Sequence, residues 1–84
     1  MDAFLAAFDA LPIGTFRGRA HGRDYVVTRT ALANGKAEKL VAEALDGSDY
    51  ISLNLYRLAS GAALRPCEMP EEKGVAFVRD LTVL

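Results

Sequence analysis

Eighty-four residues, 51% hydrophobic and 25% charged, are expected to form one small globular domain over residues 1–84, because two would not fit. Ten Lys and Arg against eleven Asp and Glu leave a net charge of −1. That balance, with so much apolar content, argues against disorder and gives no long-range pull toward a polyanion. No apolar run approaches the roughly 18 residues of a membrane-spanning helix. The start, Met1-Asp2-Ala3-Phe4, lacks the basic residues of a secretory signal. A lone cysteine is not the pattern of a disulfide-stapled secreted scaffold. A cytoplasmic chain with no membrane partner is therefore expected.

Residues 2–11 predict a short helix. Asp2 can cap its first turn, and Phe4, Leu5, Phe8 and Leu11 fall on one stripe. Pro12 disfavours helical geometry at Leu11 and ends it there. Residues 15–20 alternate, with Phe16, Gly18 and Ala20 on one side and Thr15, Arg17 and Arg19 on the other, as in a strand with one wet face. The segment His21-Gly22-Arg23-Asp24 is turn material. Residues 25–32 are rich in β-branched side chains and predict the returning strand of a hairpin.

Ala37, Leu40, Val41, Ala44 and Leu45 recur at i, i+3, i+4, i+7 and i+8, which predicts an amphipathic helix over about 36–46. Asn34 would be its N-cap and Gly47 its C-terminal stop. Asn34-Gly35 could instead be a hairpin turn, but the helical period after it outweighs that reading. Residues 50–58 predict a strand with Ile51, Leu53 and Leu55 on one face and Tyr50, Ser52, Asn54 and Tyr56 on the other. Residues 62–67 return as an edge strand ended by Pro66. Pro70 and the acids Glu71 and Glu72 begin a last helix, with Val75, Val78 and Leu81 as its apolar face.

The expected architecture is thus α+β in the order α-β-β-α-β-β-α, with two β-hairpins in an antiparallel sheet packed against an amphipathic helix. Gly22-Arg23-Asp24-Tyr25 echoes Gly47-Ser48-Asp49-Tyr50. Either a ββα unit is duplicated, or two turns reuse the same chemistry.

No metal site is expected, since one His and one Cys 46 residues apart do not supply four ligands. No cofactor is expected either, because neither glycine-rich phosphate motif occurs. Cys67 is the one candidate nucleophile. It lies between Arg65 and a helix start, which favours thiolate, but Glu68 opposes this and only His21 is on hand as a base. A structural cysteine is the simpler reading, and enzymatic activity is not the favoured one.

Residues 17–36 hold five bases and one acid, and residues 37–50 hold four acids and one base. If the hairpins share a sheet, Arg17 and Arg19 join Tyr50, Asn54 and Tyr56 on one open face, with Arg65 at its edge. Arginine beside exposed tyrosine suits a protein interface and also stacks on bases or holds anions. The same pattern is equally that of a solvated sheet face. The expected function is a non-catalytic binding or protein-interaction module using Arg17, Arg19, Tyr50, Asn54, Tyr56 and Arg65, with an unknown protein or small anionic ligand as partner and a homodimer as one form of it. An RNA or anionic-ligand binder on the same face is the alternative, although a chain this acidic is not the usual nucleic-acid footprint. A thiol-dependent enzyme or redox sensor at Cys67 is the second alternative.

Overall fold

The computed structural model describes residues 2–84, Asp2 by its backbone alone, so the expected cap by the Asp2 carboxylate lies outside the described residues. The chain runs α1 (Asp2–Asp9), β1 (Gly14–Ala20), β2 (Arg23–Leu32), β3 (Ala37–Ala44), β4 (Tyr50–Leu58), β5 (Gly61–Pro66), α2 (Glu71–Asp80) and β6 (Thr82–Val83). All six strands form one antiparallel sheet in the order β5-β4-β3-β2-β1-β6. Both helices lie on the same face. Phe4, Phe8 and Leu11 at α1, and Phe77 and Val78 of α2, join Tyr25, Val27, Leu40, Ile51, Leu53, Leu55 and Leu64 from the sheet in one buried cluster. The fold is α+β, with an antiparallel sheet packed against helices.

Two expectations need correction. The segment expected as a central helix over 36–46 is strand β3, so among the described residues the order is α-β-β-β-β-β-α-β, with two α-helices. Its buried positions are Glu38, Leu40, Ala42 and Ala44, a period of two. Glu38 hid that period, because a charged residue at an inward position reads as solvent-facing. Asn34-Gly35 is the β2–β3 connection after all, in a tight turn with Asn34 at φ 57° and Gly35 at φ 84°. The second correction concerns charge. Arg29 faces inward and pairs with Glu38 of the neighbouring strand, which removes one charge from each of the two oppositely charged segments.

Arg29 is the hub of a buried ionic cluster. Its Nε donates to Glu38 Oε1 at 2.7 Å, and its Nη1 donates to the carbonyls of Phe8 at 3.1 Å and Leu11 at 2.6 Å. Phe8 lies in the last turn of α1, where its carbonyl also accepts the Leu11 N–H at 3.1 Å, and Leu11 lies two residues past the helix end, so Arg29 fastens the C-terminal side of that helix to the sheet. The guanidinium also lies 4.7 Å from the centre of the Phe8 ring. Arg57 completes the cluster by donating to Glu38 Oε2 and to Asp9. Among the described residues every buried side-chain nitrogen and oxygen has a partner.

Burial alone would push the Glu38 carboxyl up, but the bonds from Arg29 and Arg57 outweigh it and hold it below the ordinary glutamate range. A carboxyl lowered on folding contributes stability that is present above its unfolded value, near pH 4.3, and is lost as pH falls through the folded value. The urea midpoint is therefore expected to hold between pH 7 and about 5.5 and to fall below about 4.5. Glu38→Gln should be less stable at pH 7 yet show a shallower acid decline. Equal acid slopes in the two proteins would refute this role for Glu38.

A second cluster anchors α2. The phenol of Tyr25 donates to Asp49 Oδ2 at 2.7 Å, and Lys73 of α2 donates to Asp49 Oδ1 at 2.7 Å. The Tyr25 ring meets Phe77 edge-on at 4.8 Å. Phe77, which the expected α2 face omitted, is its most deeply buried side chain together with Val78. Gly74 is buried too, because a Cβ there would come within 3.1 Å of Leu53. The glycine that weakens the helix lets it approach β4.

The echoed segments share a turn but not a face. Gly22 and Gly47 both take positive φ in hairpin turns, at 78° and 76°. Tyr25 is fully buried whereas Tyr50 is 55% exposed.

Candidate functional site

Side chains alternate across a strand, and the pairing register places the open face without ambiguity. Opposite the helices stand Thr15, Arg17 and Arg19 of β1; Asp24, Val26, Thr28, Thr30 and Leu32 of β2; Ala37, Lys39, Val41 and Glu43 of β3; Tyr50, Ser52, Asn54, Tyr56 and Leu58 of β4; and Ala63 and Arg65 of β5. Arg17, Arg19, Tyr50, Asn54, Tyr56 and Arg65 therefore share one face of one sheet.

They do not form one cluster. Arg17 and Tyr50 lie in the same cross-strand row, but Val26 and Glu43 stand between them. Three inter-strand spacings make that separation about 14 Å. Arg19 is engaged by Asp24, with Nε to Oδ1 at 2.6 Å. That hydrogen bond draws the Asp24 carboxyl below its usual range.

Arg19, Gly22, Arg23, Asp24, Leu45 and Asp46 line an open cleft of about 440 Å³ at the end of the sheet. A second depression of about 360 Å³ adjoins it over Val26, Glu43, Ala44 and Leu45. The charges of the first cleft are mutually satisfied: Arg23 donates to Ser48, and Ser48 donates to Asp46. Those bonds from Ser48 lower the Asp46 carboxyl. The cleft holds its own polar groups together.

Asn54, Tyr56 and Arg65 do come together on β4 and β5, and Lys39 of β3 joins them, while Tyr50 stands about 13 Å along β4 from Asn54, beside Glu43. The rows Thr30, Lys39, Asn54, Arg65 and Leu32, Ala37, Tyr56, Ala63 run side by side across four strands. The first is polar with two cations and the second is wholly apolar apart from the Tyr56 hydroxyl. Lys39 was missed from the sequence because a helix reading of 36–46 gave it no place on the sheet. A period-of-two reading of the same segment would have found it.

Of the nine large hydrophobic side chains that stand exposed among the described residues, six belong to this face: Val26, Leu32, Tyr50, Tyr56, Leu58 and Leu45, which continues the β2–β3 register just past β3 with its N–H donating to Asp24 O at 2.9 Å. Single exposed apolar residues are ordinary; these six share one face of the sheet.

The β5 edge is protected against strand pairing. Cys67 N–H donates to Ser52 O at 2.9 Å. Bonded pairs alternate in an antiparallel ladder, so Ala62, Leu64 and Pro66 turn their peptide groups outward. Pro66 has no N–H to offer, and Arg65 Nη1 donates to the outward carbonyl of Leu64 at 3.1 Å. These are devices that blunt an edge, which leaves the face as the accessible surface.

Cys67 is exposed beyond the end of β5, with its sulfur 3.7 Å from Asn54 Nδ2. His21 lies in the β1–β2 turn, bonded to Asp80 at 2.8 Å. The two stand four strands apart in the sheet order, at least about 19 Å at the usual spacing. No thiol–imidazole pair is assembled. Among the described residues no group of three or more His, Cys, Asp and Glu side chains could hold a metal ion, and no helix is long and apolar enough to cross a membrane. The chain matches no family model, no curated protein and no solved structure.

Proposed function

We propose that this chain is a non-catalytic binding module that presents its open sheet face to a partner protein. One observation carries the reading. The helices cover only one side of the sheet, and six of the nine exposed large hydrophobics collect on the other. Tyr56 and Arg65 are of the residue types that dominate interface energetics.

A second reading, an RNA or anionic-ligand binder, draws support from Tyr56, exposed in the row next to Lys39 and Arg65, and from Tyr50, exposed further along the same strand. Glu43 opposes it, standing directly across from Tyr50 where a phosphate would pass.

The test compares capture by full-length protein and by a triple variant, Leu32→Ser, Tyr56→Ser and Leu58→Ser. These side chains are 48%, 39% and 55% exposed, so the urea midpoint should hardly change. A partner retained by the wild type should be lost from the triple variant and kept by Glu72→Gln on the outer surface of α2. Equal retention by all three proteins would refute the open face. The homodimeric form of the reading predicts a sedimentation coefficient that rises with concentration in the wild type and not in the triple variant.

A further inference from the structure

Resting on that reading, we infer that the open face takes an amphipathic helical segment of a partner protein, acidic along one flank. The segment lies across β2 to β5, with its apolar stripe on Leu32, Ala37, Tyr56 and Ala63 and its carboxylates over Lys39 and Arg65.

The apolar seat is a continuous cross-strand row. Leu32 pairs with Ala37, Ala37 with Tyr56, and Tyr56 with Ala63. Leu32 and Tyr56 stand up from it while the two alanines leave hollows beside the tyrosine ring. Leu58, two residues along β4, widens the seat. Knobs alternating with hollows suit the side chains of a helix stripe. From β2 to β5 the row spans about 14 Å, the length of about ten helical residues at 1.5 Å each.

The cationic flank lies two residues along each strand, about 7 Å away. That matches the offset between the apolar stripe of a helix and its polar flank, given a helix diameter of about 10 Å. Neither Lys39 nor Arg65 takes part in an ion pair among the described residues. Asn54 between them adds two N–H donors, whose hydrogen-bond partner among the described residues is the weak acceptor Cys67 Sγ at 3.7 Å. Along β3 the next open-face carboxylate is Glu43, four residues from Lys39, or about 13 Å. Arg17, Arg19, Lys39 and Arg65 against Asp24 and Glu43 give the face a charge of +2, while the whole chain carries −1. Carboxylates are the complement of this face.

A small molecule fits less well, because ligand pockets are concave and the two depressions of the open face lie toward the Arg19 and Glu43 end. Single-stranded nucleic acid would use the tyrosines but not Leu32 and Leu58, and it would meet Glu43.

The experiment follows amide chemical shifts of the isotope-labelled full chain with three synthetic twelve-residue amphipathic peptides. All have one leucine stripe; the flank carries Glu, Gln or Lys. The Glu peptide is expected to move the amides of Ala37, Lys39, Asn54, Tyr56 and Arg65 and to bind at least tenfold tighter than the Gln peptide. The double variant Lys39→Glu, Arg65→Glu should reverse the preference toward the Lys peptide. Equal binding of the Glu and Gln peptides at these residues would overturn the acidic flank and leave the open-face reading standing. Silence from all three peptides would also overturn the inference, while the triple-variant capture decides the broader reading separately. An eight-nucleotide oligouridylate that moves the same amides more tightly would replace the protein partner with RNA. Dimerisation of the chain without added peptide, moving the same amides, would replace it with a second copy.

Discussion

Arg29→Ala is expected to cost about 3–5 kcal/mol, the usual effect of removing one partner from a buried ion pair. A chain of this length has about 4–13 kcal/mol in all, so the variant should be marginal or unfolded at 37 °C. Three losses coincide. Glu38, 4% exposed, keeps only Arg57. The carbonyls of Phe8 and Leu11 lose their common donor at the end of α1. The Phe8 ring, fully buried, loses the cation above it. Because α1 has only eight residues, it cannot persist unless docked, and its release would uncover Phe4 and Phe8. The double variant Arg29→Met, Glu38→Met removes both charges and fills the space with apolar volume. It should lose less than the sum of its single variants, leaving Arg57 with Asp9. Strictly additive urea-unfolding free energies, or an Arg29→Ala cost below about 1 kcal/mol, would count against the cluster as the fastening of α1.

Tyr25→Ala should cost nearly as much, about 3–5 kcal/mol for a fully buried aromatic, whereas Tyr25→Phe should cost about 1–2 kcal/mol. The gap separates two jobs of one residue. The ring fills the interior between β2 and α2 and meets Phe77 at 4.8 Å. The hydroxyl reaches across β3 to Asp49, which also receives Lys73. Burial would push the Asp49 carboxyl up, but Lys73 and Tyr25 together hold it below its ordinary range. Tyr25→Phe leaves the Lys73 bond in place, so Asp49 is not stranded. Combining Tyr25→Phe with Lys73→Met should therefore cost more than the two singles added, since the second loss leaves a largely buried carboxylate alone. Guanidinium unfolding of the four proteins measures that coupling. A Tyr25→Phe cost equal to that of Tyr25→Ala would mean that the hydrogen bond, not the packing, holds α2.

Both clusters explain which parts of this protein could be read without its structure. Where side chains alternate between apolar and polar, as in β1 and β4, the strand and the direction of each side chain were legible. That gave the wet side of each strand; Arg17, Arg19, Tyr50, Asn54 and Tyr56 share a face only because the strands join one sheet. Pro66 closes β5, whereas α1 stops at Asp9, two residues short of the end expected from Pro12, and Pro70 is extended just before α2 rather than its first helical residue. The two-residue strand β6 left no period to detect and exists only because β1 offers it an edge.

The segment 36–46 shows what local pattern cannot decide. Its apolar residues satisfy a helical period, and only the positions of Arg29 and Arg57 on neighbouring strands make Glu38 an inward residue. A carboxylate is stable inside only where cations from other elements meet it, and those cations lie 9 and 19 residues away in the chain. With β3 read as a helix, Lys39 had no row to join, and the pairing of Lys39 with Arg65 across β4 was invisible. Sequence by itself determined the class of the fold and the alternation of β1 and β4. Tertiary structure decided the sheet order, the inward turn of Arg29 and Glu38, and which of the surface residues stand together, because each depends on pairings between strands that no local window contains.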